Sequence, residues 1–235
     1  MMKQGKRLTL LSVRLSVGMG ALLLGSGLLM NAAQAQEAAP TPLQKQLALV
    51  DLGVSAFGEF TSSASGNTKL NQPLSLSPSK TLGTLVTLRY TKSPFIGFEA
   101  NYNFARYTED FIYTNQANNS ATQIPLGVQV NATEYSGGYV IHPRQIYGLQ
   151  PYASIGAGVT AFRPTQHGGQ GFSPQARATY YYSVGVEDML YRERLGVRVG
   201  FRQAYFLAPD FQTNYLTNKQ RVLESEPTIG LFLKF

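Results

Sequence analysis

The stretch Ile96-Gly97-Phe98-Glu99-Ala100-Asn101-Tyr102-Asn103-Phe104 decides how the rest of the chain is read. Apolar residues occupy every second position, opposite Gly97, Glu99, Asn101 and Asn103. A period of two belongs to a β-strand, whose side chains alternate between faces, and not to a helix. One face suits an apolar phase, and the other a polar one.

The same alternation recurs on both sides of this stretch. Toward the N-terminus, Leu52, Val54, Ala56 and Phe60 oppose Asp51, Ser55 and Glu59, and Leu82, Val86, Leu88 and Tyr90 oppose Gly83, Thr87 and Arg89. Toward the C-terminus, Ala153, Ile155, Ala157 and Val159 oppose Tyr152, Ser154, Gly156, Gly158 and Thr160. Tyr180, Tyr182, Val184 and Val186 then oppose Arg177, Thr179, Ser183 and Glu187. Leu195, Val197, Val199 and Phe201 face away from Gly196, Arg198, Gly200 and Arg202, and Ile229, Leu231, Leu233 and Phe235 from Glu226, Thr228, Gly230 and Lys234. Gly, Pro, Asn and Ser clusters bound these runs, as expected of strands. With a segment from about Gln123 to Ile141 there are eight.

That remaining segment changes parity: Val128 and Val130 alternate with Gln129 and Asn131, whereas Tyr135, Tyr139 and Ile141 take the opposite phase. Embedding only the end nearer Ile141 turns Glu134 inward and lets the earlier residues project beyond a bilayer. A bulge near Gly137-Gly138 would also serve.

Connection lengths alternate. Residues 61–79 are long, Ser93-Pro94 short, 108–122 long, 142–149 shorter, 163–176 long, 189–194 short and 207–220 long. Bacterial membrane barrels show this alternation of short periplasmic turns with longer outer loops. Both termini then fall on the periplasmic side, and four polar loops face outside.

Residues 1–35 read as a signal peptide. Lys3, Lys6, Arg7 and Arg14 precede an apolar run from Leu15 to Met30, and Ala33-Gln34-Ala35 supplies a small-x-small exit. A retained anchor is the rival reading. Residues 36–46, with Pro40 and Pro42 and no periodicity, read as a flexible leader, and 47–235 as one domain. The formal charge of +7 loses the four n-region bases with the signal, so the mature chain has no polyanion-binding signature and no nucleic-acid partner is expected. Zero cysteines exclude disulfides, thiol nucleophiles and thiolate zinc sites.

Alternation alone also fits a soluble lipocalin-like barrel, so the distribution of charge must decide. A soluble barrel needs a charged exterior, yet only 14% of residues are charged, and the polar faces are mostly Gly, Ser, Thr and Asn. No run after the signal is long enough for a second transmembrane helix, and only a closed barrel satisfies strand backbones in hydrocarbon. The expected fold is therefore all-β, an eight-stranded antiparallel up-and-down transmembrane barrel. Its interior is just wide enough for side chains to fill. The inward charges would be Asp51, Glu59, Arg89, Glu99, Glu134, Arg177, Glu187, Arg198, Arg202, Glu224, Glu226 and Lys234. Buried charges need partners, so a lumen network is expected among Arg89, Glu99, Glu134, Glu187, Arg198, Arg202 and Glu226, with Glu99 or Glu226 meeting Arg89, Arg198 or Arg202. Tyr90, Tyr102, Tyr180, Tyr182 and Tyr205 fall on the apolar face, as an interfacial girdle would.

The closing segment Ile229-Gly230-Leu231-Phe232-Leu233-Lys234-Phe235 resembles the terminal strand of outer-membrane barrels, which ends in Phe with apolar residues at alternate positions. That resemblance implies an assembly signal at Ile229, Leu231, Leu233 and Phe235, read by the barrel-assembly machinery. Residues 47–235 are similar to the small outer-membrane β-barrel superfamily, which includes the transmembrane domain of outer membrane protein A. The resemblance implies an outer-membrane location among lipid and lipopolysaccharide. The chain departs from outer membrane protein A by lacking a peptidoglycan-binding domain, so no cell-wall tether is carried over.

Catalytic signals are sparse. The histidines are His142, beside Pro143 at a periplasmic turn, and His167 in an outer loop with Asp210 on another. Some barrels of this size are lipid-modifying enzymes with a Ser–His pair or proteases with Asp and His, but turn and loop roles suit both histidines better. Gly168-Gly169-Gln170-Gly171 lacks the Lys-Ser/Thr of a nucleotide loop. Asp110, Asp210 and Asn115 to Asn119 lack calcium-loop spacing. Leu207-Ala208-Pro209-Asp210-Phe211 reads as a turn packed on a neighbouring loop or as a contact point. No catalytic residue, metal or cofactor is expected. The expected role is that of a monomeric barrel, structural or binding an extracellular ligand through its loops, with a narrow solute or ion channel as the alternative.

Overall fold

The computed structural model describes residues 41–235 apart from 70, 94, 118, 119, 192 and 193. The expected signal peptide lies outside the described residues. Of the expected leader, Pro42–Leu47 form a short helix, α1, instead of an aperiodic segment. Thr41 caps it, exchanging hydrogen bonds with Gln44 in a capping box, and Pro42 opens its first turn.

Among the described residues ten strands follow: β1 (Val50–Thr61), β2 (Ala64–Asn67), β3 (Pro73–Pro78), β4 (Thr81–Tyr90), β5 (Ile96–Ala117), β6 (Ser120–Ile141), β7 (Gln150–Pro164), β8 (Gln175–Tyr191), β9 (Leu195–Leu207) and β10 (Arg221–Lys234). β3 and β4 lie end to end against β5, interrupted after Pro78, which has no N–H to continue the ladder. β2 folds back on β3. The wall thus has eight positions, all antiparallel. It closes because β1 pairs with β10 and β5 with β6. Closure leaves no unpaired edge in the bilayer.

Two expected loops are sheet. The β5–β6 hairpin pairs continuously from Ile96↔Ile141 to Ala117↔Ser120, and most of 61–79 is β2 and β3. Both extend the barrel wall at the end opposite the chain termini. The longer non-strand connections at that end are 165–174 and 208–220. At the other end, Tyr147 (φ 52°) and Gly148 (φ +85°) form a two-residue turn closed by reciprocal Ile146 and Leu149 hydrogen bonds of 3.0 Å. Both central residues are left-handed, which is why a glycine stands there.

The parity of β6 does not change, and no bulge interrupts it at Gly137-Gly138. Val128, Val130, Ala132, Glu134 and Val140 are all buried, and Tyr135, Tyr139 and Ile141 all exposed. What changes along the strand is the chemistry of the interior. It is polar in the half nearer the chain termini and apolar in the other half, so an inward valine mimics a shift of phase.

The outer wall carries Leu82 at 79% exposure, Ile155 at 67% and Ile229 at 60%, with the exposed rings of Tyr102, Tyr135, Tyr139, Tyr180 and Tyr182. An apolar surface running round a whole barrel is far larger than a water-soluble protein exposes.

Inside, glycines are paired with aromatic rings. Phe57 covers Gly83, Tyr181 covers Gly138 and Gly156, Tyr152 covers Gly185 and Gly200, and Phe232 covers Gly196. A Cβ at Gly185 would lie 2.6 Å from the Tyr152 ring, and one at Gly156 would lie 2.5 Å from Tyr181. Small residues therefore make room for aromatic rings as well as for long charged side chains.

Candidate functional site: the filled lumen and its cap

The ion-pair lattice begins at the end of the barrel that holds the start of β1 and the end of β10. Asp51 on β1 accepts from Arg198 on β9 at 3.1 Å, and Arg198 Nε reaches Glu187 on β8 at 2.8 Å. The same Glu187 oxygen receives Arg89 of β4, whose other arm meets Glu99 of β5 at 2.9 Å. Glu99 also accepts from the Tyr181 hydroxyl at 3.0 Å and the Asn101 amide at 3.3 Å. The Tyr152 ring lies 4.8 Å from the Arg89 guanidinium and 5.7 Å from that of Arg198, and the Phe232 ring 5.0 Å from Arg198. Each of these carboxylates accepts from at least one guanidinium, which is what lets such charges be buried, while Arg89 Nε has no hydrogen-bond partner among the described residues.

The next layer is centred on Arg202 of β9. It donates to Glu226 at 2.7 Å and to Glu134, and its guanidinium lies 4.5 Å from the Tyr181 ring centre. Asn103 donates to both Glu226 oxygens at 3.2 Å. Between these two layers the free space is about 20 Å³, lined by Arg89, Glu99, Tyr152, Arg198 and Arg202. That is room for about one water.

Above Arg202 the buried acids have no salt-bridge partner among the described residues. Glu59, Glu109 and Glu224 are all buried, and neither carboxylate oxygen of Glu59 has a hydrogen-bond partner among the described residues. An apolar cap then fills the opposite half: Leu74, Leu76, Phe111, Val128, Val130, Phe162, Phe206 and Val222 from the wall, with Phe211 and Leu216 from the connection 208–220. Phe211 stacks on Phe172 with centroids 5.7 Å apart and meets Phe111 edge-on at 6.2 Å. Asp210 anchors this connection. It accepts from Gln175 at 2.7 Å and pairs with Arg177 at 2.9 Å, while the backbone N–H groups of Asp210 and Phe211 donate to Gln175 Oε1. Burial opposes the charged form of Asp210, but the hydrogen bonds from Gln175, Gln212 and Thr217 and the Arg177 charge outweigh it and hold the carboxyl below the usual aspartate range.

All seven residues expected in the lumen network are brought together there. Lys234 is not among them: it is exposed, at the rim of a vestibule of about 420 Å³ at the end near the chain termini. Arg177 leaves the network for Asp210. His142 stands beside Arg89 at 3.4 Å over the vestibule, and His167 is exposed with no hydrogen bond to Asp210. Leu207 to Phe211 pack against the neighbouring loop, as one of the two sequence readings had it. Glu109 was missed because its strand had been read as loop, and Tyr181 because it lies in a run of three tyrosines, where parity alone puts it inside. Ile229, Leu231, Leu233 and Phe235 are all exposed.

A closed antiparallel barrel with charge inside and apolar side chains outside is an integral membrane β-barrel. No protein-family model matches the chain, and no curated protein matches it in sequence. Among solved structures it is similar to neisserial surface protein A, at 15% identity and a TM-score of 0.53 over 79% of this chain and 97% of that one. It is also similar to the outer membrane protein OprG of Pseudomonas aeruginosa, at 14% identity and 0.52 over 79% and 95%. The fold is that of the small eight-stranded outer-membrane β-barrels.

Proposed function

We propose that this chain is a non-conducting, non-enzymatic monomeric barrel whose role is structural or is carried by the surface it displays outside the cell. The observation that supports this most is the blocked lumen. A solute entering the periplasmic vestibule meets the Arg89–Glu187–Arg198 lattice, then the Arg202 layer, then an apolar cap. The extracellular surface comprises the β2–β3 and β5–β6 extensions and the connections 165–174 and 208–220. An extracellular ligand would meet these elements first.

Planar-bilayer recording tests the reading. The expected result is no unitary conductance, in wild type or in a variant with 208–220 shortened. Steady conductance steps that change in size with Arg198→Ala would place a path inside the barrel and establish the channel alternative instead.

The exposed row Ile229, Leu231, Leu233 and Phe235 on the closing strand fits an assembly signal for the barrel-assembly machinery.

A further inference from the structure

The layer between Arg202 and the apolar cap carries more acid than base. Glu59 of β1, Glu109 of β5 and Glu224 of β10 are each at most 8% exposed, and neither Glu59 oxygen nor Glu109 Oε2 has a hydrogen-bond partner among the described residues. The three crowd one another. Glu59 feels the charges of Glu226 and Glu109, Glu224 those of Glu59, Glu226 and Glu134, and the buried Tyr107 hydroxyl those of Glu109, Glu59 and Glu224. Asp110 adds its charge to Glu109 from the exposed side. The base beneath them is Arg202, which already serves Glu134 and Glu226. Arg177 of β8 is drawn off by Asp210, and β3, β4 and β7 contribute Leu76, Leu85 and Phe162.

Water, a metal ion or protons can balance such a layer, and the geometry favours protons. The free space of about 20 Å³ lies lower, between the arginine layers, and neither Glu59, Glu109 nor Glu224 lines it. No three acids among the described residues converge as the ligands of a metal ion do. A proton needs neither space nor convergent ligands, and an unpaired buried carboxylate costs so much that the group gives up its charge instead. Tyr107 and Val222, two residues from Glu109 and Glu224 on the same faces, already belong to the cap. Whatever wets the acid layer therefore wets the cap.

We infer that Glu59, Glu109 and Glu224 are uncharged carboxylic acids at neutral pH and that their protons lock the cap: when alkali removes them, the like charges draw in water and release Phe211 and Leu216. The inference rests on the closed-lumen reading, which keeps the layer dry. A free glutamate ionises at about pH 4, so a group still protonated in the folded barrel makes unfolding release a proton. Its contribution to stability is complete below that free value and is lost as pH rises toward the folded one. Over that window each such group raises the unfolding constant about tenfold per pH unit.

The test uses the full barrel in lipid vesicles, unfolded by urea between about pH 7 and 8.5, above the free values of glutamate and histidine. Infrared spectra of the folded barrel are read for the C=O stretch of protonated carboxyls. The expected result is such a band in the wild type at neutral pH and an unfolding constant that climbs about tenfold per pH unit for each retained proton. Amide protection across 208–220 should fall as the band fades. Glu59→Gln/Glu109→Gln/Glu224→Gln, neutral at every pH and similar in shape, should lack the band, flatten the slope and keep the connection protected in alkali. Glu224→Gln alone, a milder change, should remove one proton's share of the slope. No carboxyl band at neutral pH, or a slope unchanged by these substitutions, means that water or ions balance the layer and overturns the proposal. A barrel that conducts at neutral pH with band, slope and protection intact would defeat the closed-lumen reading and leave the protonated layer standing.

Discussion

Arg202 and Glu226 stand directly opposite each other on β9 and β10, and their side chains meet at 2.7 Å inside the barrel, at a carboxylate with no solvent exposure. Removing the base leaves Glu226 and Glu134 without their counter-ion. Arg202→Ala is expected to destabilise the barrel by about 3–5 kcal/mol, the range for breaking a buried pair, measured by urea unfolding in lipid vesicles. A loss below 1 kcal/mol would mean that water already solvates this layer.

Glu59 presents the opposite case. It is 2% exposed, with both oxygens unpartnered among the described residues and with Glu109 and Glu226 close enough to repel it. Glu59→Met removes the desolvated group and keeps the bulk, so stability should rise by about 1–3 kcal/mol. The same unfolding assay checks it, and a loss of stability would show that Glu59 has a partner such as an ordered water.

Gly185 faces Tyr152 across the lumen side of β8. Gly185→Ala pushes a methyl against that ring and against the backbone of β9, and Tyr152 cannot retreat without disturbing Arg89 and Arg198. A cost of about 1–3 kcal/mol is expected. Gly171→Ala lies in open space but at φ +70°, so its cost should be smaller, about 1 kcal/mol.

The connection 208–220 should loosen in acid. The Asp210 carboxyl is held below its unfolded range, so the docking that depends on its charge is present at neutral pH and above the unfolded value of about 4. It is lost as pH falls through the lower folded value. Amide hydrogen exchange across 208–220 should therefore accelerate in acid, and Asp210→Asn should give the fast rate at neutral pH. Identical exchange in both proteins would mean that Phe211 and Leu216 anchor this connection unaided.

Deleting Phe235, exposed at the end of β10, should lower the yield of heat-shifting barrel in outer-membrane fractions several-fold while leaving refolding of purified protein in detergent nearly unchanged. Equal loss in both assays would assign Phe235 to barrel stability instead of to assembly.

The sparse charge and alternating connection lengths of the chain pointed to the membrane barrel, and its alternation determined the strand character and, for the strands it revealed other than β6, which residues share a face. Both of the latter follow from a period of two, which needs no partner to be legible. The pairing within the lumen was not legible, because Arg198 could reach several acids, and only the stagger of β9 against β8 and β1 put Glu187 and Asp51 within its span. Nor was the end of the polar interior. Val128 and Val130 look outward to anyone assuming one kind of lumen, and they become inward once Phe111, Phe162 and Phe211 are seen to meet them in an apolar cap. A strand pattern reports which residues share a face; what that face meets depends on residues brought together from distant parts of the chain, and tertiary structure alone decides it.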